Sequence, residues 1–222
     1  SGVTNASEGF IKQPAFTFGD DELEGIWVAK YEASQGTNTT TTNVVSIPTS
    51  SNYVAQFKPE VEGWRNISIS KMYEYAYNTF RNADSHLMKG SEWGAVAYLT
   101  NAIGRIPYEN KHTVYTGRSH LNDGSSNSWN TVNGVKASTT HNVYGIYDMA
   151  GGAAEYVSAY GIDTGSVYLS EDVDNKEYGG VLYTNRNTKY VETYETVYTS
   201  ERTGDAMYET TNSNVGMSWD FG

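Results

Sequence analysis

The chain has 222 residues, a formal net charge of −11 and no cysteine. It is long enough to bury a sizeable core, repels the phosphate backbone of nucleic acids, and lacks disulfides, thiol nucleophiles and thiolate metal ligands. No apolar run approaches the length a membrane-spanning helix needs, and no charged-then-apolar leader opens the chain.

The 19 Tyr and 22 Gly, set among many Thr, Asn and Ser, resemble the composition of extracellular and binding surfaces. There Tyr offers broad contact area with few rotors, and the small polar residues adapt around it. The expected organisation is a single domain over 1–222 with an N-terminal extension at 1–22. Because the chain opens on Ser1 rather than Met, a preceding piece is expected to have been removed or left out.

In chain order, Leu23–Ser34 ("LEGIWVAKYEAS") mixes Ile26, Trp27, Val28 and Tyr31 with acids and predicts a buried strand running into a loop. "QGTNTTTTN", Gln35 to Asn43, is too polar to order itself by burial and predicts an exposed excursion. Met72, Tyr75, Ala76 and Thr79 recur at i, i+3, i+4 and i+7 and predict a first helix, with Ser68 or Ser70 as its N-cap. A second helix is predicted from Ser91 to Ile103, with Trp93, Val96, Ala97 and Thr100 on one face, Leu99 and Ile103 widening it, and Gly104 as the stop.

From Arg105 to Thr140 the chain reads as turns and irregular loop. The acidic stretch holding Glu171, Asp172, Asp174 and Glu177 is not a calcium loop, because Lys176 falls where that loop needs glycine; it predicts a solvated turn. Further on, "KYVETYETVYTS" alternates, with Tyr190, Glu192 and Tyr194 on one face and Val191, Thr193 and Glu195 on the other. Neither face is cleanly apolar, so an edge strand or surface hairpin is expected. Two helices followed by a strand-rich half imply α+β. None of His86, His112, His120 and His141 lies in a nucleophile context, and the spacing of His112 and His120 matches no metal-ligand pattern.

Three segments, taken in order, resemble the formylglycine-generating-enzyme superfamily. "GIWVAKYEAS" is similar to that family's strand ending in tyrosine and glutamate. "HLMKGSEWGAVAYL" resembles the R-L-P-T-E-x-E-W-E-x-A-A signature that opens its second helix, keeping Leu87, Glu92, Trp93, Ala95 and Ala97, with Met88 in place of proline and Gly94 in place of glutamate. "NVYGIYDMAGGAAEYV" resembles N-x-Y-G-L-Y-D-M-x-G-N-V-W-E-W at Asn142, Tyr144, Gly145, Tyr147, Asp148, Met149, Gly151 and Glu155.

The resemblance implies a C-type-lectin-like fold, two helices with small antiparallel sheets and extensive loops. Trp93, Asn142, Asp148, Gly151 and Gly152 become motif residues, and Glu155 a ligand of a structural calcium. Gly152 stands where the family's calcium-binding Asn is found. The family's copper-binding cysteine pair is missing, so catalysis of that type is excluded and no other cofactor is expected. The chain stops at "MSWDFG", short of the R-G-G segment and final strand of the family's display proteins.

Non-catalytic relatives serve as display scaffolds, among them retroelement-variable proteins on phage tail tips and bacterial surfaces, and domains in phage and pilin-like proteins of gut Firmicutes. This resemblance implies an extracellular, virion or cell-surface-appendage module whose partner is a protein or glycan receptor. The alternatives are a structural subunit contacting its neighbours in an assembly and, more remotely, an enzyme of another type. Trp129, Tyr178, Tyr183 and Arg186 are the candidate contacts, since Tyr, Trp and Arg dominate binding hot spots.

Overall fold

A computed structural model of the chain describes residues 14–34, 55–61, 63–64, 69–102, 114–115, 127–149, 156–161, 177–178, 181–182 and 189–194. In chain order its elements are β1 (Thr17–Phe18), β2 (Asp21–Glu22), α1 (Ile69–Thr79), α2 (Gly90–Ala102), β3 (Val114–Tyr115), β4 (Asn127–Ser128), β5 (Ala159–Gly161), β6 (Glu177–Tyr178), β7 (Val181–Leu182) and β8 (Glu192–Tyr194). Short 3-10 turns occupy Pro14–Phe16, Arg81–Ala83 and Gly134–Ala137. The class is α+β, with two helices among short strand pairs.

β1–β2 and β6–β7 are antiparallel pairs, as expected. The pairs β3–β4 and β5–β8 are parallel, which the expectation of antiparallel sheets missed. Their partners are joined through intervening chain, and parallel strands cannot be closed by a tight turn. In contrast, β1 and β2 meet across Gly19, whose φ of +68° costs glycine nothing.

Two compact units form, each from separated stretches: Ser1–Ile26, Ile69–Tyr98 and Tyr156–Gly222 in the first, Trp27–Ser68 and Leu99–Glu155 in the second. Residues 14–22 are not a loose extension. Phe18 of β1 is buried and meets His86 and Tyr190 in the first unit at ring-centroid distances of 5.4 and 5.5 Å.

Helix α1 is covered on two sides, which corrects the single predicted stripe. Tyr73, Tyr75, Tyr77 and Thr79 are buried, while Met72 and Ala76 are half-buried. At 3.6 residues per turn, the Tyr73–Tyr77 pair and the Tyr75–Thr79 pair fall on opposite faces. The first pair stacks with planes 4° apart, and Thr79 Oγ1 donates to the Tyr75 carbonyl at 2.6 Å. The helix ends where Ser85 Oγ accepts the Phe80 N–H (2.8 Å) and donates to the Ala76 carbonyl (2.7 Å), satisfying two groups of the last turn.

Along α2, Ser91, Glu92, Ala95, Val96, Ala97 and Thr100 are buried and Trp93 is half-buried. Small side chains there let neighbouring backbone approach closely. Leu99 was expected to widen the buried face but is exposed, because the cover over the face it shares with Glu92 and Ala95 ends one turn earlier.

Leu23–Ser34 is not a buried strand. Exposure alternates along Ile26 to Lys30, as extended chain allows, and Tyr31 breaks the alternation; only Tyr31 and Ser34 are buried and Trp27 stands fully exposed. The backbone hydrogen bonds that tie this segment to distant chain lie at Lys30, Ala33 and Ser34, whose partners are Tyr147, Trp64 and Gln56, all downstream of Trp27. The β8 region also departs from a surface hairpin: Tyr190, Val191 and Glu192 are all buried.

The cores are built largely from tyrosine. Tyr73, Tyr75, Tyr77 and Tyr190 are buried in the first unit, Tyr31 and Tyr147 in the second. Six of the 19 tyrosines are therefore core residues. Such rings bury large area and pack edge-to-face, while each hydroxyl requires a polar partner.

Candidate functional site

In the second unit, the residues between Ser138 and Tyr147 form a turn whose polar side chains fold back onto its own backbone. Ser138 Oγ donates to the Val135 and Asn142 carbonyls (2.9 and 2.8 Å) and accepts the Asn142 N–H (3.2 Å). Asn142 Oδ1 accepts the Tyr144 N–H and the Thr140 hydroxyl, both at 2.8 Å, an Asx-turn arrangement that Asn forms readily. Thr139 and Ile146 exchange backbone contacts across the base, with Thr139 N–H donating to the Ile146 carbonyl at 2.9 Å.

Gly145 is required at this turn. A Cβ there would lie 2.6 Å from Thr140 Oγ1 and 2.8 Å from the Thr140 nitrogen. The result is a rigid presentation of Tyr144, which is 88% exposed at the tip.

An aromatic cluster underpins the turn. Tyr31, Trp129 and Tyr147 meet at ring-centroid distances of 5.4 to 6.1 Å, and the Tyr147 hydroxyl donates to the Trp129 carbonyl at 2.8 Å. Lys30 Nζ sits 5.0 Å from the Trp129 ring centroid and donates to the Val143 carbonyl, while the Lys30 carbonyl accepts the Tyr147 N–H at 3.0 Å. Burial, and then the neighbouring Asp148 charge, push the Tyr147 phenol up to about 12. Burial also raises Tyr31 well above the ordinary phenol range, with Tyr147 adding to it.

Of the residues singled out from sequence, Trp129 is therefore a packing residue, half-buried against Tyr31, Ala137 and Tyr147. Tyr178 lies on β6; Tyr183 and Arg186 lie outside the described residues, as do Gly151, Gly152 and Glu155. Asn142 and Asp148 are both in the turn region: Asn142 builds the turn, and Asp148 is buried with its N–H donating to the Ala137 carbonyl at 3.3 Å. Trp93 lies half-buried on α2.

The structure brings forward exposed side chains that the sequence reading missed: Trp27, Tyr144 and Val132 in the second unit, at 103, 88 and 82% exposure. For Tyr144 the signal was present, since an Asn two residues before a Tyr-Gly pair marks a turn tip. Among the described residues, no three or more His, Asp or Glu side chains are grouped to hold a metal ion. The positions that the resemblance ties to calcium, Gly152 and Glu155, lie outside the described residues.

A second polar constellation occupies the first unit, around the entry to α2. His86 Nε2 lies 2.9 and 3.0 Å from the two Glu92 oxygens, and its Nδ1 lies 2.9 Å from the Asp84 carbonyl oxygen. Glu92 also accepts the Lys89 N–H at 2.8 Å, half of a capping box three residues into the helix. Lys89 is buried, with Nζ donating to the Thr17 carbonyl at 3.0 Å and 3.8 Å from Glu92. Asp84 accepts the Tyr190 hydroxyl (2.8 Å) and Lys189 Nζ (3.1 Å), and these bonds hold its carboxyl below the usual range. The Lys89–Glu92 spacing was the legible signal for this cap. These bonds tie the segment 84–89 to the start of α2 and to Lys189 and Tyr190.

No protein-family model matches the chain, and a search of curated proteins finds no match either. Among the described residues, no helix is long and apolar enough to cross a membrane.

Proposed function

We propose that the chain is a non-catalytic binding module with a C-type-lectin-like fold, displayed on a virion or bacterial surface appendage, that recognises a protein or glycan receptor. The observation carrying this reading is the presentation of Tyr144: a large aromatic side chain held out on a turn whose own polar groups fix its backbone. A rigid aromatic loses little conformational freedom on contact, which is why such residues serve as binding anchors. Trp27, fully exposed three residues before Lys30, is a second anchor of the same kind. The motif resemblance over Leu23 to Val157 supports the fold and the display role together.

The test is to display the labelled full chain against arrays of bacterial surface glycans and intact bacterial cells, beside Tyr144→Ala and Trp27→Ala. Loss of either ring is expected to weaken binding by about 2 kcal/mol, roughly thirtyfold in Kd, with circular dichroism unchanged. Binding unaltered by both substitutions would overturn the reading. Sedimentation of the native material into a particle or fibre would instead favour the structural-subunit role.

A further inference from the structure

Three features lie outside the proposed binding role: the Lys30 ammonium against its three aromatic rings, the exposed acids Asp20 to Glu24, and the histidine at the entry to α2. The first is satisfied by its own chain, and the second has nothing beside it that points to a ligand. The third carries an inference.

His86 is the hub of the segment 84–89. Its ring packs against both Phe18 of β1 and Tyr190, at centroid distances of 5.4 and 5.7 Å, and its side chain is 15% exposed. Both ring nitrogens face acceptors: Nδ1 the Asp84 carbonyl, Nε2 the Glu92 carboxylate. A carbonyl oxygen only accepts, and Glu92 already accepts the Lys89 N–H. Only the doubly protonated imidazolium supplies a hydrogen to both contacts. A neutral ring sets a lone pair against one oxygen or the other.

The same segment is tied on every side. Asp84 holds Lys189 and Tyr190, the Met88 carbonyl accepts the Ser158 N–H at 2.8 Å, and Lys89 reaches Thr17. Among the described residues, the groups that face His86 are thus Asp84 on its own segment, Lys89 and Glu92 at the start of α2, Tyr190 with Lys189 ahead of β8, and the uncharged Phe18.

We propose that His86 is a proton-operated latch: the charged ring clamps segment 84–89 onto the start of α2, and loss of its proton loosens that clamp. Burial opposes the charge, but the Glu92 hydrogen bond and charge outweigh it and leave the ring above its ordinary value. A group raised in the folded state contributes stability that is fully present below its unfolded value, near 6.5, and lost as pH rises through the higher folded value. The latch is therefore closed below the ordinary histidine value and opens as pH rises above it.

The experiment follows the His86 ring by 1H–13C spectra of the full chain from about pH 5.5 to about pH 9. In parallel it measures hydrogen exchange of the Lys89 and Ser91 amides, corrected for intrinsic rate, in the wild type and in His86→Gln. The expected result is a ring that titrates above the ordinary histidine value, with exchange of those amides accelerating roughly fivefold or more across the same midpoint. His86→Gln, which cannot titrate, shows no such step. Equal protection on both sides of the ring's midpoint, or a ring already neutral at the acid end, overturns the latch. The wild-type measurements decide this alone if the variant does not fold.

Discussion

Glu192 and Ser91, separated by 101 positions in sequence, are joined at the N-terminus of α2: the carboxylate accepts the Ser91 N–H at 3.0 Å and also the Ser91 hydroxyl. The first turn of a helix has N–H groups without intrahelical partners and a partial positive charge. Lys89 stands at the position before the helix, where a Ser, Thr, Asp or Asn side chain ordinarily caps it. Glu192 supplies the missing acceptor from β8, and Glu92 supplies another from within the helix.

Replacing Glu192 with Ala leaves two buried polar groups of Ser91 without their acceptor. The expected loss is about 2 kcal/mol of unfolding free energy, measured by urea denaturation. Glu192→Gln retains one acceptor oxygen and should lose less. Equal stability of the Ala variant and wild type would show that this contact adds nothing.

Glycine is required at Gly145 and Gly134 for steric rather than conformational reasons. At Gly134 an added Cβ would lie 2.0 Å from the Ser128 carbonyl oxygen, and at Gly145 it would meet the Thr140 backbone nitrogen at 2.8 Å. Backbone cannot rotate aside as a side chain does. Ala at either position should destabilise the second unit by roughly 1–3 kcal/mol, more at Gly134. Thermal unfolding gives the ranking, and Gly145→Ala should also increase protease cleavage around Tyr144.

Tyr147 titrates late, at about 12. Its neutral phenol donates to the Trp129 carbonyl, a bond that ionisation removes. Because the folded value lies above the unfolded one, near 10, this group's contribution is complete below that value and is lost as pH rises through the folded one. Tyrosinate absorbance of the wild type should therefore contain a late component that Tyr147→Phe lacks. A variant whose titration curve overlays the wild type would refute the assignment.

How much of this was legible varies residue by residue. Both helices could be placed from the periodicity of their apolar residues. The α1 stripe was misread because Tyr73 and Tyr77 carry polar hydroxyls and looked free to face water. Trp27 read as core because a large aromatic in an apolar run ordinarily is; its exposure depends on which backbone pairs beside it, and the segment's bonds to distant chain lie downstream, at Lys30, Ala33 and Ser34. Trp129 read as a contact because nothing local reveals that Tyr31 and Tyr147 close around it.

The sequence by itself determined the α+β class, the helices and the absence of thiol chemistry, because periodicity and residue inventory are local properties. Only tertiary structure decided that Glu192 caps α2, that His86 faces two acceptors, and that Tyr144 rather than Trp129 is presented to solvent. Each of those depends on which distant side chain or backbone oxygen fills a given position, and burial and hydrogen-bond partnership are settled by packing between segments tens of residues apart.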